Sequence, residues 1–462
     1  MPTKTIAKIL ALAVIGVALF TGLVVTFRTG PVPTVEIRPE VPTIGTRTPV
    51  VVTAAAGGRG LADLRLELVQ EERAVVLEER SYRTRPVWAF WGKRTVKDEI
   101  RTNVGRETVP GLRQGEAVLR VTAGRAPTWL LRPDPVVREV RLPVQLTPPE
   151  LAVVSIQNYA TQGGSGVVVY RVGDSSARDG VRAGEWFFPG APLPGGGPGD
   201  RFCLFGVPWD LGDEAEVRLI AEDAVANRGE TAFLDRFFPK PPNRDRITLT
   251  DSFMQRVVPE ILRRTPDLSD RGNLLENYLQ VNGALRRRNA EELITLAERS
   301  TPSFLWSEPF ASLPNAQVMS AFADHRTYFY QGREVDQQTH LGYDLASVAH
   351  APVPAANRGT VAMARYFGIY GNTIVLDHGY GLMSLYAHLS SMDVEEGQEV
   401  ERGAVLGRTG ATGLAGGDHL HFTVLVHGLP VNPTEWWDGK WIRDRVARKL
   451  GPALPFQTEP VD

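Results

Sequence analysis

The sequence predicts a mainly β protein: an amino-terminal transmembrane helix, two β-sandwich modules, a helical connector, and a carboxy-terminal third that holds the chemistry. Three observations carry this expectation. Residues 9–27 form a run without a single charge. Short stretches with apolar residues at every second position follow, broken by turns in a chain that holds 45 Gly and 34 Pro. Six of the eight histidines crowd between residues 339 and 422.

Size and composition bound the answer first. At 462 residues the chain is too long for one ordinary domain and should contain about three. Lys+Arg 51 against Asp+Glu 53 leave a formal charge of -2, so there is no global basic field and no nucleic acid is expected as a partner. Cys203 is the only cysteine, which excludes an intrachain disulfide, a CxxC redox pair and a cysteine-based zinc finger. Any metal must be held by His and carboxylate. Flanked by Phe202 and Leu204, Cys203 itself reads as a small buried hydrophobe.

The apolar run comes first. At about 1.5 Å rise per residue it nearly spans a hydrocarbon layer of roughly 30 Å. Lys4 and Lys8 precede it and Arg28 follows, which favours a cytoplasmic tail with the bulk of the chain outside. The run exceeds the apolar region of a signal peptide, and the following TFRTGPVP lacks a small-residue cleavage site. Residues 1–30 are therefore expected to be a single-pass anchor (transmembrane 9–27) in the inner (cytoplasmic) membrane, with secretion after signal cleavage as the alternative.

Residues 31–147 open on a Pro-rich stalk and contain Val50-Val51-Val52, Leu64 to Leu68 and Ala117 to Val121, the period-two runs of a first sandwich. Pro148 and Pro149 break the pattern. A second module, 148–245, holds Leu151 to Val154, Gly166 to Tyr170 and Glu216 to Ile220. Its closing AEDAVANRG, residues 221–229, resembles the last-strand turn of bacterial Ig-like modules, so both modules are expected to be Ig-like spacers that could also meet cell-wall or division proteins. In 246–304 the apolar residues Phe253, Val257, Ile261, Leu274, Tyr278, Leu293 and Ala297 recur at helical spacing. Two or three helices are expected there, with Pro259 kinking or shortening the first.

Residues 305–440 carry three short histidine motifs: HLGYD at 340–344, YAHLS at 386–390 and HLHF at 419–422. In HLHFTVLV the alternation puts His419 and His421 on one face of a strand and Leu420 and Phe422 on the other. With His340, Asp344 and His388, five candidate groups can share one pocket. A catalytic zinc takes three protein ligands and keeps one position open, which leaves two imidazoles for proton transfer or hydrogen bonding to an oxyanion. Such a site suits amide hydrolysis.

Together with APVPAANRGTVAMA, YGNTIVLDHGYGLMSLYAHLS, VEEGQEVERGAVLGRTGATG and DHLHFTVLVHGLPVNP, these motifs closely resemble the M23 family of zinc metallopeptidases, the LytM or lysostaphin type, from about Met319 to Asp438. The resemblance implies a small antiparallel β domain with the site in a groove, and cleavage of bacterial cell-wall peptides. It further implies one Zn²⁺ per peptidase domain on His340, Asp344 and His421. His388 and His419 would then be the pair that moves protons and stabilises the transition state, and peptidoglycan peptides would be the substrate.

Two competing expectations are a structural zinc site and a noncatalytic zinc-binding activator or scaffold of another wall hydrolase. The first leaves two histidines unexplained, and the second usually accompanies lost ligands. His325, His350, His378 and His427 fall outside the motif positions and read as structural or surface residues, with a place in the site lining as the alternative for His378. Trp436 and Trp437 are expected to pack as an aromatic lid on the domain edge, ahead of a tail at 441–462.

Overall fold

The computed structural model describes residues 3–456 apart from 90 and 242, so the last part of the expected tail, 457–462, lies outside the described residues. Thr3–Phe27 forms one continuous helix. Among the described residues it is the one helix long and apolar enough to cross a membrane. The rest is mostly strand and divides into two compact units, Met1–Pro149 with Glu222–Arg228, and Glu150–Ala221 with Gly229–Asp462.

In the first unit, Thr48–Ala55 is buried at every second residue, as a half-buried strand requires. It pairs antiparallel with Thr34–Pro39 and Lys97–Val104. A second sheet runs in the order Arg73–Ser81, Leu61–Gln70, Gly115–Arg125, Val136–Val144. Between the sheets lie Val50, Val52, Leu64, Leu66, Leu119 and Val121, all at most 1% exposed. The turn around 222–228 belongs to this unit: Asn227 Oδ1 accepts from Thr46 N at 3.0 Å and its Nδ2 donates to Gln145 O at 2.8 Å.

The second unit begins with two four-stranded sheets that hold Val167, Phe202, Cys203 and Leu219 in one core. Cys203 is fully buried there. Three helices follow, Asp251–Arg264, Leu274–Gln280 and Arg286–Ala297, the last two joined through a wide turn, Val281–Leu285. Thr250 caps the first and Asn273 the second, each side chain accepting from backbone N–H groups of the opening turn. Pro259 does not shorten the first helix, which continues past it and spans 14 residues. The proline sits on the exposed side, where a carbonyl without an intrahelical partner meets water, while Met254, Val257, Val258 and Ile261 pin the opposite face.

The carboxy-terminal sheet is antiparallel, in the order Gln317–Ser320, Tyr343–Ala346, Leu420–Val426, Leu382–Leu389, Asn372–Gly379, Gly359–Tyr366, Glu399–Val400. Beside it, Asp324–Tyr330 pairs antiparallel with Arg333–His340 and parallel with Arg244–Leu249, the strand that leads into the helices. Trp436 is not a lid. It is fully buried among Trp306, Phe310 and Trp441, and its Nε1 donates to Ser165 Oγ at 3.1 Å. Trp437 stacks on Phe422. An indole that spans two packed sheets satisfies its one donor inside and has no reason to reach the edge.

Candidate metal centre

Sheet register brings the distant motifs together. Asp344 pairs with His421 across neighbouring strands, and His421 in turn pairs with Ala387, the residue before His388. His340 ends its own strand opposite Asp324. The result is a close cluster: His340 Nε2 lies 3.0 Å from Asp344 Oδ1 and 3.1 Å from His421 Nδ1, and His421 Nδ1 lies 2.9 Å from the same carboxylate oxygen.

The outer ring nitrogens determine what the inner ones are. His340 Nδ1 donates to Ala321 O at 2.9 Å, and His421 Nε2 donates to Thr423 Oγ1 at 3.0 Å, whose hydroxyl proton goes to Leu341 O. Those bonds leave His340 Nε2 and His421 Nδ1 as bare lone pairs, aimed with Asp344 Oδ1 at one point. Two imidazole nitrogens and one carboxylate oxygen in mutual contact repel unless a positive charge lies among them. The donor set therefore fits a dication such as Zn²⁺, which takes His nitrogen and Asp oxygen.

His388 and His419 stand beside the trio with the same polarity. His388 Nδ1 donates to Thr412 O and His419 Nδ1 to Gly417 O, each at 2.8 Å, so both Nε2 atoms are bare. Their ring centroids are 4.9 Å apart, and His419 Nε2 lies 3.5 Å from Asp344 Oδ1. His388 has φ +63°, a left-handed conformation that L-residues seldom hold and that concentrates at functional sites.

Electrostatics follow from burial and the shared carboxylate. Burial by itself would raise the Asp344 carboxyl, but the imidazoles of His340, His419 and His421 around it, which favour the carboxylate whenever one of them takes up a proton, hold it well below the usual range. Burial, reinforced by the neighbouring imidazoles, pushes His388 well below its ordinary value. Burial lowers His421 to about 4. At His419 burial is overridden by Asp344, and its pKa rises.

The cluster opens into a cavity of about 550 Å³. One wall is the sheet. The other comes from the helical segment, with Phe253, Arg256, Tyr278 and Arg286 facing the histidines across the space. Arg256 Nη2 donates to the carbonyls of Ala415 and Gly416 on the cavity rim. Sequence spacing did not single out Arg326, whose Nη2 reaches Asp344 Oδ2, or Tyr370, whose ring centroid is 5.7 Å from that of His421. Neither belongs to a histidine motif, so no local signal marks them.

The remaining histidines lie away from the cavity. His378 is fully buried, its Nδ1 donating to Arg358 O and its Nε2 meeting Ser384 Oγ, each at 2.7 Å. That satisfied network is structural. His350 is exposed and bonds Ser390, and His325 bonds Thr339. His427 packs edge-on against Phe188.

With this geometry in place, residues 338–433 match Peptidase family M23. The chain is 32% identical over 163 residues to the peptidoglycan DD-endopeptidase ShyA of Vibrio cholerae, a match covering 35% of each protein. It is 40% identical over 94 residues to the DD-carboxypeptidase/endopeptidase Mpg of Neisseria meningitidis, covering 20% of this chain and 22% of that one. A crystal structure of a zinc containing peptidase from Vibrio cholerae aligns at 34% identity with a TM-score of 0.24, covering 29% of this chain and 39% of the other. These matches span well under two thirds of the relatives' own lengths. Residues 338–433, within the carboxy-terminal part of this chain, are thus a Peptidase family M23 domain.

Proposed function

We propose that the chain is a membrane-anchored zinc metalloendopeptidase that hydrolyses peptide bonds in bacterial cell-wall peptidoglycan. The observation that carries this reading is the convergence of His340 Nε2, Asp344 Oδ1 and His421 Nδ1 within 3.1 Å of one another, with two further bare imidazole nitrogens beside them. The relatives are named for cleavage of peptidoglycan peptides, which supports the substrate class.

His340, Asp344 and His421 would hold the ion. When bound, Zn²⁺ supplies Lewis acidity toward a peptide carbonyl and a water. The chain's own residues do the rest. His388 Nε2 and His419 Nε2 offer lone pairs toward the same space, positioned to take the proton that the attacking water loses and to return it to the leaving amine. Once protonated, either imidazole donates to the oxyanion at the tetrahedral carbon. The cavity of about 550 Å³ between sheet and helices would receive the part of an extended peptide that is cut.

Residues 1–30 would hold the protein in the cytoplasmic membrane, 31–147 and 148–245 would act as spacer modules with 246–304 as connector, and 305–440 would cut on the outer side. The test uses full-length protein on isolated peptidoglycan with and without a chelator, followed by muropeptide analysis. New amino termini that vanish with chelator and return with zinc support the reading. Release that requires an added partner hydrolase, or that ignores the chelator, overturns it.

A further inference from the structure

Two loops of the first unit, 82–96 and 126–135, lie beside the end of the apolar helix. They expose a cluster of large apolar side chains that the fold does not use: Trp88 is 59% exposed, Trp91 67%, Trp129 74% and Leu130 77%. Trp88 and Trp91 meet edge to face with centroids 6.2 Å apart. Solvent-facing indoles in such density ask for an occupant, because each forfeits the apolar burial that makes tryptophan useful.

The loops are held at one particular place. Thr128 Oγ1 donates to Thr26 O at 2.6 Å, Arg28 Nη1 donates to Ala89 O at 2.9 Å, and Arg125 Nη1 donates to Gly30 O at 2.9 Å. All three bonds fall on the last turn of the apolar helix or just beyond it. Arg59, only 5% exposed, ties the loops to one another, with Nε donating to Arg85 O at 2.7 Å and Nη1 to Pro127 O at 2.6 Å. The helix side of this junction is apolar and open: Phe20, Leu23 and Phe27 are 68%, 61% and 62% exposed.

Charge points the same way. The two loops carry Arg83, Arg85, Lys93, Arg94 and Arg132 against the single acid Asp134. Indoles flanked by basic residues, fixed where a membrane-crossing helix leaves the hydrocarbon, have the composition of the headgroup layer's own partners: amphipathic rings at the interface and cations against lipid phosphate. A protein partner would match the apolar area but would leave no account of why the patch is bonded to the helix end.

We infer that the 82–96 and 126–135 loops sit in the headgroup layer of the phospholipid bilayer that the 3–27 helix crosses, with Trp88, Trp91, Trp129 and Leu130 inserted beside the helix. The inference rests on the anchor reading above. Its consequence is that the first unit is held against the membrane surface at several points and does not swing freely on a stalk.

The nine tryptophans all lie outside the helix, so native fluorescence reads the loops and not the anchor. Full-length protein is reconstituted into liposomes of mixed zwitterionic and anionic phospholipid, with or without bromine on the upper acyl chain, and flotation is scored separately. The expected result is flotation together with quenching of up to about a third of the emission, three of nine tryptophans being in the loops. That quenched part disappears in the W88A/W91A/W129A variant, which still floats. Flotation without quenching, or equal quenching in the variant, overturns the inference and leaves the anchor standing. Failure to float overturns the anchor and the inference together.

Discussion

Arg326 Nη2 lies 3.2 Å from Asp344 Oδ2, the carboxylate oxygen opposite the one that faces His340 and His421. The guanidinium is only 18% exposed and the carboxylate 15%. One oxygen of Asp344 is thereby tied to a fixed cation, and the other is turned to the imidazoles. A carboxylate held in this way loses little freedom when it binds an ion.

Replacing Arg326 should loosen that hold. Partners that orient a metal ligand are typically worth 10–100-fold in metal affinity. Arg326→Gln is expected to weaken zinc binding by about that factor, measured by competition with a chromophoric chelator, and Arg326→Lys to restore part of it. Unchanged affinity in both variants would remove Arg326 from this role.

Gly342, inside HLGYD, is set by contact: a Cβ there would come within 2.6 Å of the His421 ring and of Thr423 Oγ1. Gly342→Ala must therefore displace the ring or the hydroxyl that orients it. The expected outcome is a protein with native circular dichroism and a roughly tenfold or greater loss of zinc affinity. Full affinity with an intact fold would mean that the loop yields instead.

The division of labour among the five site residues is separable. His340→Ala and Asp344→Asn should abolish bound zinc, read as metal per protein by mass spectrometry. His388→Ala should keep the zinc and lose about 10²–10⁴ in rate, read as muropeptide release. Hydrolysis at wild-type rate in His388→Ala would refute its proposed part in proton transfer.

Glu435 offers a pH test outside the five-residue cluster. Burial pushes its carboxyl up to about 7 from 4.5, although Ser165 N and Oγ donate to it at 2.7 and 3.0 Å. An acid with a raised folded pKa binds more protons folded than unfolded, so its contribution to stability is complete below pH 4.5 and fades as pH rises through about 7. The full loss is roughly 3 kcal/mol. Glu435→Gln keeps an acceptor for Ser165 but cannot ionise. Its stability in urea relative to wild type should climb across that window and flatten above it, and a constant difference would exclude the effect.

The amino-acid order alone determined the parts of this protein that depend on near neighbours. Alternation along 48–55, 61–70 and 115–125 marks strands, and the uncharged run at 9–27 marks the apolar helix. His340 with Asp344, and His419 with His421, are each confined by a few bonds to one short stretch of backbone. Histidines are also rare enough that three motifs in one region stand out.

Only the tertiary structure decided which groups stand behind them. Arg326 reaches Asp344 because a strand pairing sets it there, and Thr412 receives the His388 proton through a carbonyl that every residue possesses. The helices of 251–297 wall the cavity although their apolar spacing speaks only of packing, and Trp436 is drawn inward by Ser165, 271 residues away. Such contacts depend on register and on packing between elements remote in the chain. Period and composition carry neither, because they record what a residue is beside along the backbone and not what the folded sheets press against it.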